Sequence, residues 1–223
     1  ERHLGVNLTG PMLMSHAALP HLKVSRGNIV TIASIAGLRA QPYQAAYCAS
    51  KHAVQGFFDS LRTELIHDNS KVRISTVELP ALNTTQFGWV KTRLPNKPKP
   101  MGKIYQPEVA ARGIKYAATH DIRELYIGYP TYQTIIGNKI LPGYVDKVLA
   151  RSGIKGQQTN QPEDPHRKHN LWHPVPGNHS AHGVFDDEAH DHSILVWVAM
   201  HRKSVRALLI ALAIAIILLI VVL

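Results

Sequence analysis

Strand-like and helix-like runs alternate along the chain as far as residue 153. Residues 1–22, ERHLGVNLTGPMLMSHAALPHL, place apolar side chains at roughly helical spacing with Pro20 near the end, and read as mostly helical. GNIVTIAS (27–34) is β-branched and apolar on both faces, the appearance of a fully buried parallel strand. IAGLRAQPYQ reads as a loop. From Ala45 to about His67 the period is helical again, with Val54, Phe57, Phe58, Leu61 and Leu65 on one apolar face. VRISTVELP (72–80) is a second buried-strand candidate ended by Pro80. After a Pro- and Lys-rich segment to about Gln106, QPEVAARGIKYAATH begins a helix with Pro107 suited to its first turn, and ELYIG (124–128) is a third short strand. Strands alternating with helices predict βαβ units and a mostly parallel α/β sheet.

Beyond Gly153 the character changes. Residues 154–200 are rich in Gln, Asn, Pro, His and Asp with no apolar period, which predicts a loosely ordered tether. Its histidines, among them His166, His169, His173, His179, His182, His190 and His192, are irregularly spaced and joined by no cysteine, so a specific metal site is not expected. ALLIALAIAIILLIVVL, Ala207 to Leu223, is uninterrupted apolar sequence at the lower length limit for a bilayer-spanning helix. Arg202, Lys203 and Arg206 precede it and would snorkel to headgroups. By the positive-inside tendency they place the preceding domain on the cytoplasmic side. The expected organisation is an α/β domain at 1–153, a tether at 154–203 and a single-pass membrane anchor at 204–223.

A formal charge of +10 and a pI near 9.8 permit binding to polyanions. The basic residues are scattered and no base-reading motif accompanies them, so a nucleic-acid partner is not expected. The one cysteine, Cys48, excludes an intrachain disulfide and is read as helix packing. Trp89, Trp172 and Trp197 share no spacing that would make a stacking platform. Asn7-Leu8-Thr9, Asn83-Thr84-Thr85 and Asn178-His179-Ser180 match the glycosylation acceptor pattern, which a cytoplasmic domain would leave unmodified.

The candidate chemistry lies in AAYCASKHA (45–53). Tyr47 and Lys51 stand four apart, one above the other on a helix. An ammonium near a phenol favours phenolate and predicts a Tyr47 pKa below the ordinary value of about 10, suited to proton transfer near neutral pH. Taken alone the pair also fits a packed tyrosine and a solvated lysine. Ser34 ends the buried strand 13 positions earlier, where ligands bind in open parallel sheets, and Asn7 lies 27 positions before Ser34.

VNLTG with Asn7, GNIVTIASIAG with Ser34, YCASK with Tyr47 and Lys51, and ISTVELPALNT together resemble the short-chain dehydrogenase/reductase family over roughly Glu1 to Ala150. The resemblance implies the second half of a Rossmann-like, doubly wound domain. It implies Tyr47 as general acid/base, Lys51 as the group that tunes it and binds the nicotinamide ribose, and Ser34 as the holder of the substrate oxygen. Asn7 would position a water behind Lys51. NAD or NADP is the implied cofactor, an alcohol/carbonyl compound the implied substrate, and a homodimer through the Tyr47 helix is allowed. Pro80, Ala81, Thr84 and Thr85 occupy the stretch that contacts the nicotinamide end, usually Pro-Gly with a threonine further on. Ala81 in place of glycine leaves open which threonine corresponds.

The family's Thr-Gly-x-x-x-Gly-x-Gly turn and its Asn-Ala-Gly segment have no match. The expectation is therefore a truncated sequence that folds poorly, binds dinucleotide weakly and is inactive, with an intact membrane-tethered parent as the oxidoreductase. A lipophilic substrate is a natural extension of the anchor. The alternatives are a non-catalytic membrane-bound scaffold of the same fold and a binder of polyanions or anionic lipid, the latter marked by steep salt dependence.

Overall fold

The computed structural model describes the backbone of residues 1–177 and 179–222. Asn178, which opens one acceptor triplet, and Leu223, the end of the apolar tail, lie outside the described residues. The N-terminal helical stretch comprises α1 (Arg2–Leu4), a wider-coiled turn at Gly5–Thr9 and α2 (Gly10–Ser25). Pro20 sits inside α2 rather than closing it. The chain leaves the helix at Arg26, in the left-handed region with φ 56°, whose N–H reaches the Leu22 carbonyl.

Three strands form the central sheet: β1 (Asn28–Ser34), β2 (Arg73–Leu79) and, further on, β6 (Glu124–Tyr126). All pair in parallel in the order β1-β2-β6, with Ser34 beside Leu79 and Glu78 beside Tyr126. Between β1 and β2 runs α3 (Ala45–His67). The segment after β2 holds β3 (Ala81–Leu82), β4 (Asn96–Pro98) and β5 (Ile104–Tyr105), and leads into α4 (Pro107–Thr119). Beyond β6 come α5 (Tyr129–Ile140) and α6 (Pro142–Ser152). This is the mixed α/β, parallel sheet that the alternation of runs predicts, in the Rossmann-like form that the resemblance implies.

The sheet lies between two helical layers. Toward α3, Ile74 packs with Val54, Phe58 and Leu65, supported by Leu8, Leu19 and Leu22 from the N-terminal helices. Toward α4, Val77 packs with Val109, Ala110, Ala117, Leu125 and Ile127. Alternation along β2 decides which residue faces which layer. Thr76 Oγ1 accepts from Arg62 of α3 at 3.1 Å, while Ser75 Oγ donates to the Ala117 carbonyl of α4 at 3.3 Å. Both faces are covered, so the polar residues of β2 need partners from the helices on either side.

The polar stretch after residue 153 is not a free tether. It contributes β7 (Gln158–Pro162), antiparallel to β4, then α7 (Ile194–Met200), and ends in α8 (Arg202–Val222). Phe185 and Val196 are buried, Val196 within the α4-side core. The physical reason is that polar side chains here satisfy backbone and amide groups of the 80–106 segment, a route that leaves no apolar period. Arg167 binds the Gly88 and Val90 carbonyls, the latter at 2.6 Å. Asp186 Oδ1 accepts from Asn83 at 2.7 Å and Gln106 at 2.9 Å. Ser193 caps α7 and accepts from Gly128 N–H at 3.1 Å. The Arg202 guanidinium, at the root of α8, donates to the Asp121 carbonyl at 3.0 Å. The helix of α8 is exposed in the structure and, by length and composition, apolar enough to cross a membrane.

His182 closes this clasp, 3.0 Å from Asp186 and 2.8 Å from Glu108. Hydrogen bonds to Glu108 and then Asp186 hold the imidazole above its ordinary value. His182 holds Glu108 below the carboxylate range, and Gln106 followed by His182 does the same for Asp186. The clasp is thus complete from about pH 4.5 to 6.5 and loosens as pH rises through the raised imidazole value. Amide exchange at Gly183 and Phe185, corrected for its intrinsic base catalysis, is expected to accelerate across that rise. His182→Gln should remove the pH dependence. Equal protection at pH 6 and pH 9 would contradict the clasp.

Candidate active site

Ser34 lies at the carboxyl end of β1, where its Oγ accepts the Ala36 N–H at 3.2 Å and opens the short helical turn Ile35–Gly37. That turn presses on α3: a Cβ at Gly37 would stand 3.0 Å from the Lys51 carbonyl, so the approach requires glycine. The Ser34 hydroxyl stands close enough to the phenol of Tyr47 to lower its pKa. One turn along α3, Lys51 Nζ stands 5.9 Å from the Tyr47 ring centroid and donates to the Ile32 carbonyl at 2.9 Å. Tyr47 and Lys51 therefore share one helix face beside the strand end that carries Ser34.

Asn7 reaches the same place through α3. It sits in the wide-coiled turn Gly5–Thr9, a geometry common at functional positions, and donates to Ser50 Oγ at 3.1 Å. Ser50 in turn donates to the Tyr47 carbonyl at 2.7 Å. Ser50 is fully buried and was not singled out from the sequence, where a serine between Tyr47 and Lys51 gives no signal of its own. Cys48 is buried and accepts the Gln41 N–H at 3.3 Å, a packing role.

The electrostatics differ from the expectation for an ammonium beside a phenol. Burial pushes the Tyr47 phenol above its ordinary value despite the lowering by Ser34, and Cys48 and Glu78 add to the rise. Burial pulls Lys51 down, opposed by Glu78. Desolvation outweighs the mutual influence of the pair, because taking either group from water penalises its charged form. Glu78 was also missed. It is fully buried on β2, both carboxyl oxygens lack partners, and burial together with Glu124 pushes it up to about 8. Its spacing from Tyr47 and Lys51 matches no helix or strand period, so the sequence gives no signal for it.

The loop after Pro80 divides. Pro80 follows Leu79, the register partner of Ser34, so Pro80 and Ala81 begin at the same sheet edge as the Tyr47 cluster. Thr84 and Thr85 lie beyond β3, at the start of the short helical turn Thr85–Gly88, where the 182–186 clasp packs. A Cβ at Gly183 would come 2.6 Å from the Thr84 carbonyl. Asn83, between them and fully buried, holds the loop: its N–H donates to the Tyr105 carbonyl and its Oδ1 accepts from Phe185 N–H at 3.1 Å.

A carboxyl raised from its ordinary value makes the folded state bind protons that the unfolded chain releases, so stability falls as pH rises from about 4.5 toward 8. Glu78→Gln is expected to raise the urea midpoint at pH 9, with the gain fading by pH 5. A gain independent of pH would show that the Glu78 carboxyl is not raised.

The family model described as short chain dehydrogenase matches residues 1–93. An uncharacterized oxidoreductase of Bacillus subtilis (strain 168) is 25% identical over 182 residues, which is 80% of this chain and 51% of the relative. A hydroxysteroid 11-beta-dehydrogenase 1-like protein of Xenopus tropicalis is 35% identical over 127 residues, 57% of this chain and 42% of the relative. A solved short chain dehydrogenase from Burkholderia cenocepacia J2315, in complex with NADP, aligns at TM-score 0.50 and 26% identity over 66% of this chain and 56% of that one. The chain spans about half the length of these curated relatives or less. The matched segment contains Asn7, Ser34, Tyr47, Lys51 and the loop after Pro80, so the similarity to short chain dehydrogenases falls on the residues of the candidate site.

Proposed function

We propose that the protein serves NAD(P)-dependent interconversion of an alcohol and a ketone or aldehyde, with Tyr47 as general acid/base. The observation that carries this reading is the convergence of Ser34, Tyr47 and Lys51 at the carboxyl end of β1. The Ser34 lone pair is engaged by Ala36 N–H, which orients the hydroxyl so that it can hold a substrate oxygen against Tyr47. Tyr47 gives that oxygen a proton in reduction and takes one in oxidation. Its raised value keeps the phenol protonated near neutral pH, suited to the reductive direction. Asn7, through Ser50, holds the backbone of the turn that carries Tyr47.

A nicotinamide dinucleotide fits this chain at one end. An ammonium has three donors, and among the described residues Lys51 spends one, on the Ile32 carbonyl. The others suit the hydroxyls of a ribose, and Pro80–Ala81 border the nicotinamide side. The group would supply hydride; the residues orient it and manage the proton. The pyrophosphate has no glycine-rich cradle in this sequence. NADP in the Burkholderia complex supports this cofactor class.

The apolar α8, with Arg202, Lys203 and Arg206 at its start, would anchor the domain to a membrane from the cytoplasmic side. A lipophilic substrate is consistent with that setting. A second reading is a membrane-bound protein with the fold but no turnover.

In detergent-solubilised full-length protein, Tyr47→Phe is expected to lower kcat/KM for NAD(P)H-dependent ketone reduction by about 10²- to 10⁴-fold. Unchanged turnover would make the non-catalytic reading the better one. Within the active protein, lipophilic ketones should be reduced more efficiently than small soluble ones.

A further inference from the structure

Glu78 is the penultimate residue of β2 and the register partner of Ala33, so it stands next to the strand end that carries Ser34. Even-numbered residues of β2 face α3, as Ile74 and Thr76 demonstrate by their contacts. Glu78 extends that row toward the first turns of the helix. It is fully buried, and neither carboxyl oxygen has a hydrogen-bond partner. Gln55 Oε1, one turn along α3 from Lys51, is also buried and unpartnered.

An ionised carboxylate buried without donors is costly, and an apolar residue would fill this place in a two-faced core strand at no such cost. The charges around Glu78 indicate what the acid is matched to. The charges of Lys51 and Asp59 on α3 and of Glu124 on β6 act on it, and it acts in turn on Tyr47 and Tyr126. The Ser34 backbone N–H is near enough to lower it without forming a bond within hydrogen-bond geometry. The nearby guanidinium groups are engaged: Arg62 by Asp59 and Thr76, Arg123 by Asp59 and Glu124. Among the described residues Lys51 has no carboxylate partner and binds a neutral carbonyl. Glu78 and Lys51 are thus opposite ionisable groups left unbridged beside the same phenol.

We propose that Glu78 is a positioning residue for the Tyr47–Lys51 pair, a buried carboxyl whose charge sets how strongly Lys51 favours the phenolate. Protonated, Glu78 leaves the ammonium free to act on Tyr47. Ionised, it holds the Lys51 proton and opposes negative charge on the phenol, so proton transfer at Tyr47 becomes harder. Burial, Glu124 and Asp59 all raise Glu78, which puts this change near pH 8 rather than in the acid range. The groups titrate as a coupled set, each step registering at the others. The catalytic meaning of this coupling rests on the proposed dehydrogenase reading; the coupling itself does not.

The test follows tyrosine Cζ, lysine Nζ and glutamate Cδ by NMR in isotope-labelled, detergent-solubilised full-length protein, with Tyr47→Phe, Lys51→Arg and Glu78→Gln identifying the signals. The expected result in the wild type is a shared inflection of Glu78, Tyr47 and Lys51. In Glu78→Gln that inflection should vanish and the Tyr47 midpoint should fall by roughly half a unit to one unit. A residue that only fills space would leave the Tyr47 titration unmoved. Unchanged Tyr47 and Lys51 titrations in Glu78→Gln would overturn the proposal. If that variant does not fold, a wild-type Glu78 titration with no echo at Tyr47 or Lys51 overturns it instead. A shared inflection together with full turnover in Tyr47→Phe would support the charge coupling and remove the dehydrogenase reading.

Discussion

Everything near the site depends on β2 being covered on both faces. A strand in that position has no water for its polar side chains, so each needs a partner from a helix. Ser75 finds one on α4 and Thr76 finds one on α3, through Arg62. These bonds, with the packing of Ile74 against Val54, Phe58 and Leu65, fix the height and rotation of α3 over the sheet. The placement of Tyr47 beside Ser34 is a consequence of that fixed helix. Glu78 departs from the rule, and it does so at the end of the strand where the reacting groups gather. Asn28, Thr31, Arg39 and Gln55 also bury an unpartnered polar atom, but Glu78 is the acid among them and leaves both oxygens so.

Much of the sheet-and-helix frame was legible before any coordinates. The apolar period from Ala45 to His67 matches α3 residue for residue, and the β-branched runs at 27–34 and 72–80 contain β1 and β2, because these elements bury whole faces and burial writes itself into the order of residue types. The four-residue spacing of Tyr47 and Lys51 was equally legible, since helix geometry alone puts them on one face. Their electrostatic state was not. It depends on how much water the fold removes, and on Glu78 and Cys48, whose contributions no spacing rule reports. The polar segment was misread for a related reason. Asp186, Arg167 and His182 hold it in place by hydrogen bonds and charge, so it lacks the apolar period by which ordered structure is ordinarily found. Asn83 and Gln106, the amides to which it fastens, look like loop residues in the sequence but are buried in the fold.

The polar segment links parts of the molecule that the sequence separates widely. Asn83 bonds Asp186 and Phe185; Gly128 N–H is taken by Ser193; Asp121 accepts from Arg202. The loop after β2, the end of β6 and the root of α8 are thereby joined through one short run of chain. Whatever constrains α8 is felt, through α7 and its buried Val196, in the α4-side core.

The bond from Lys51 to Ile32 has a further consequence. The Gly27 carbonyl accepts from Arg73 of β2, so by strand alternation the carbonyls of even-numbered β1 residues turn the other way, toward the open border of the sheet. Ile32 is one of these, and Lys51 is its acceptor's tenant. A further strand laid along that border would bring a backbone N–H to the same oxygen, whose two lone pairs let it accept from the ladder and from the amine together. The carbonyl that ends up anchoring the lysine is thus also a rung of the border, and the position of the amine is tied to the backbone of β1 rather than to another side chain.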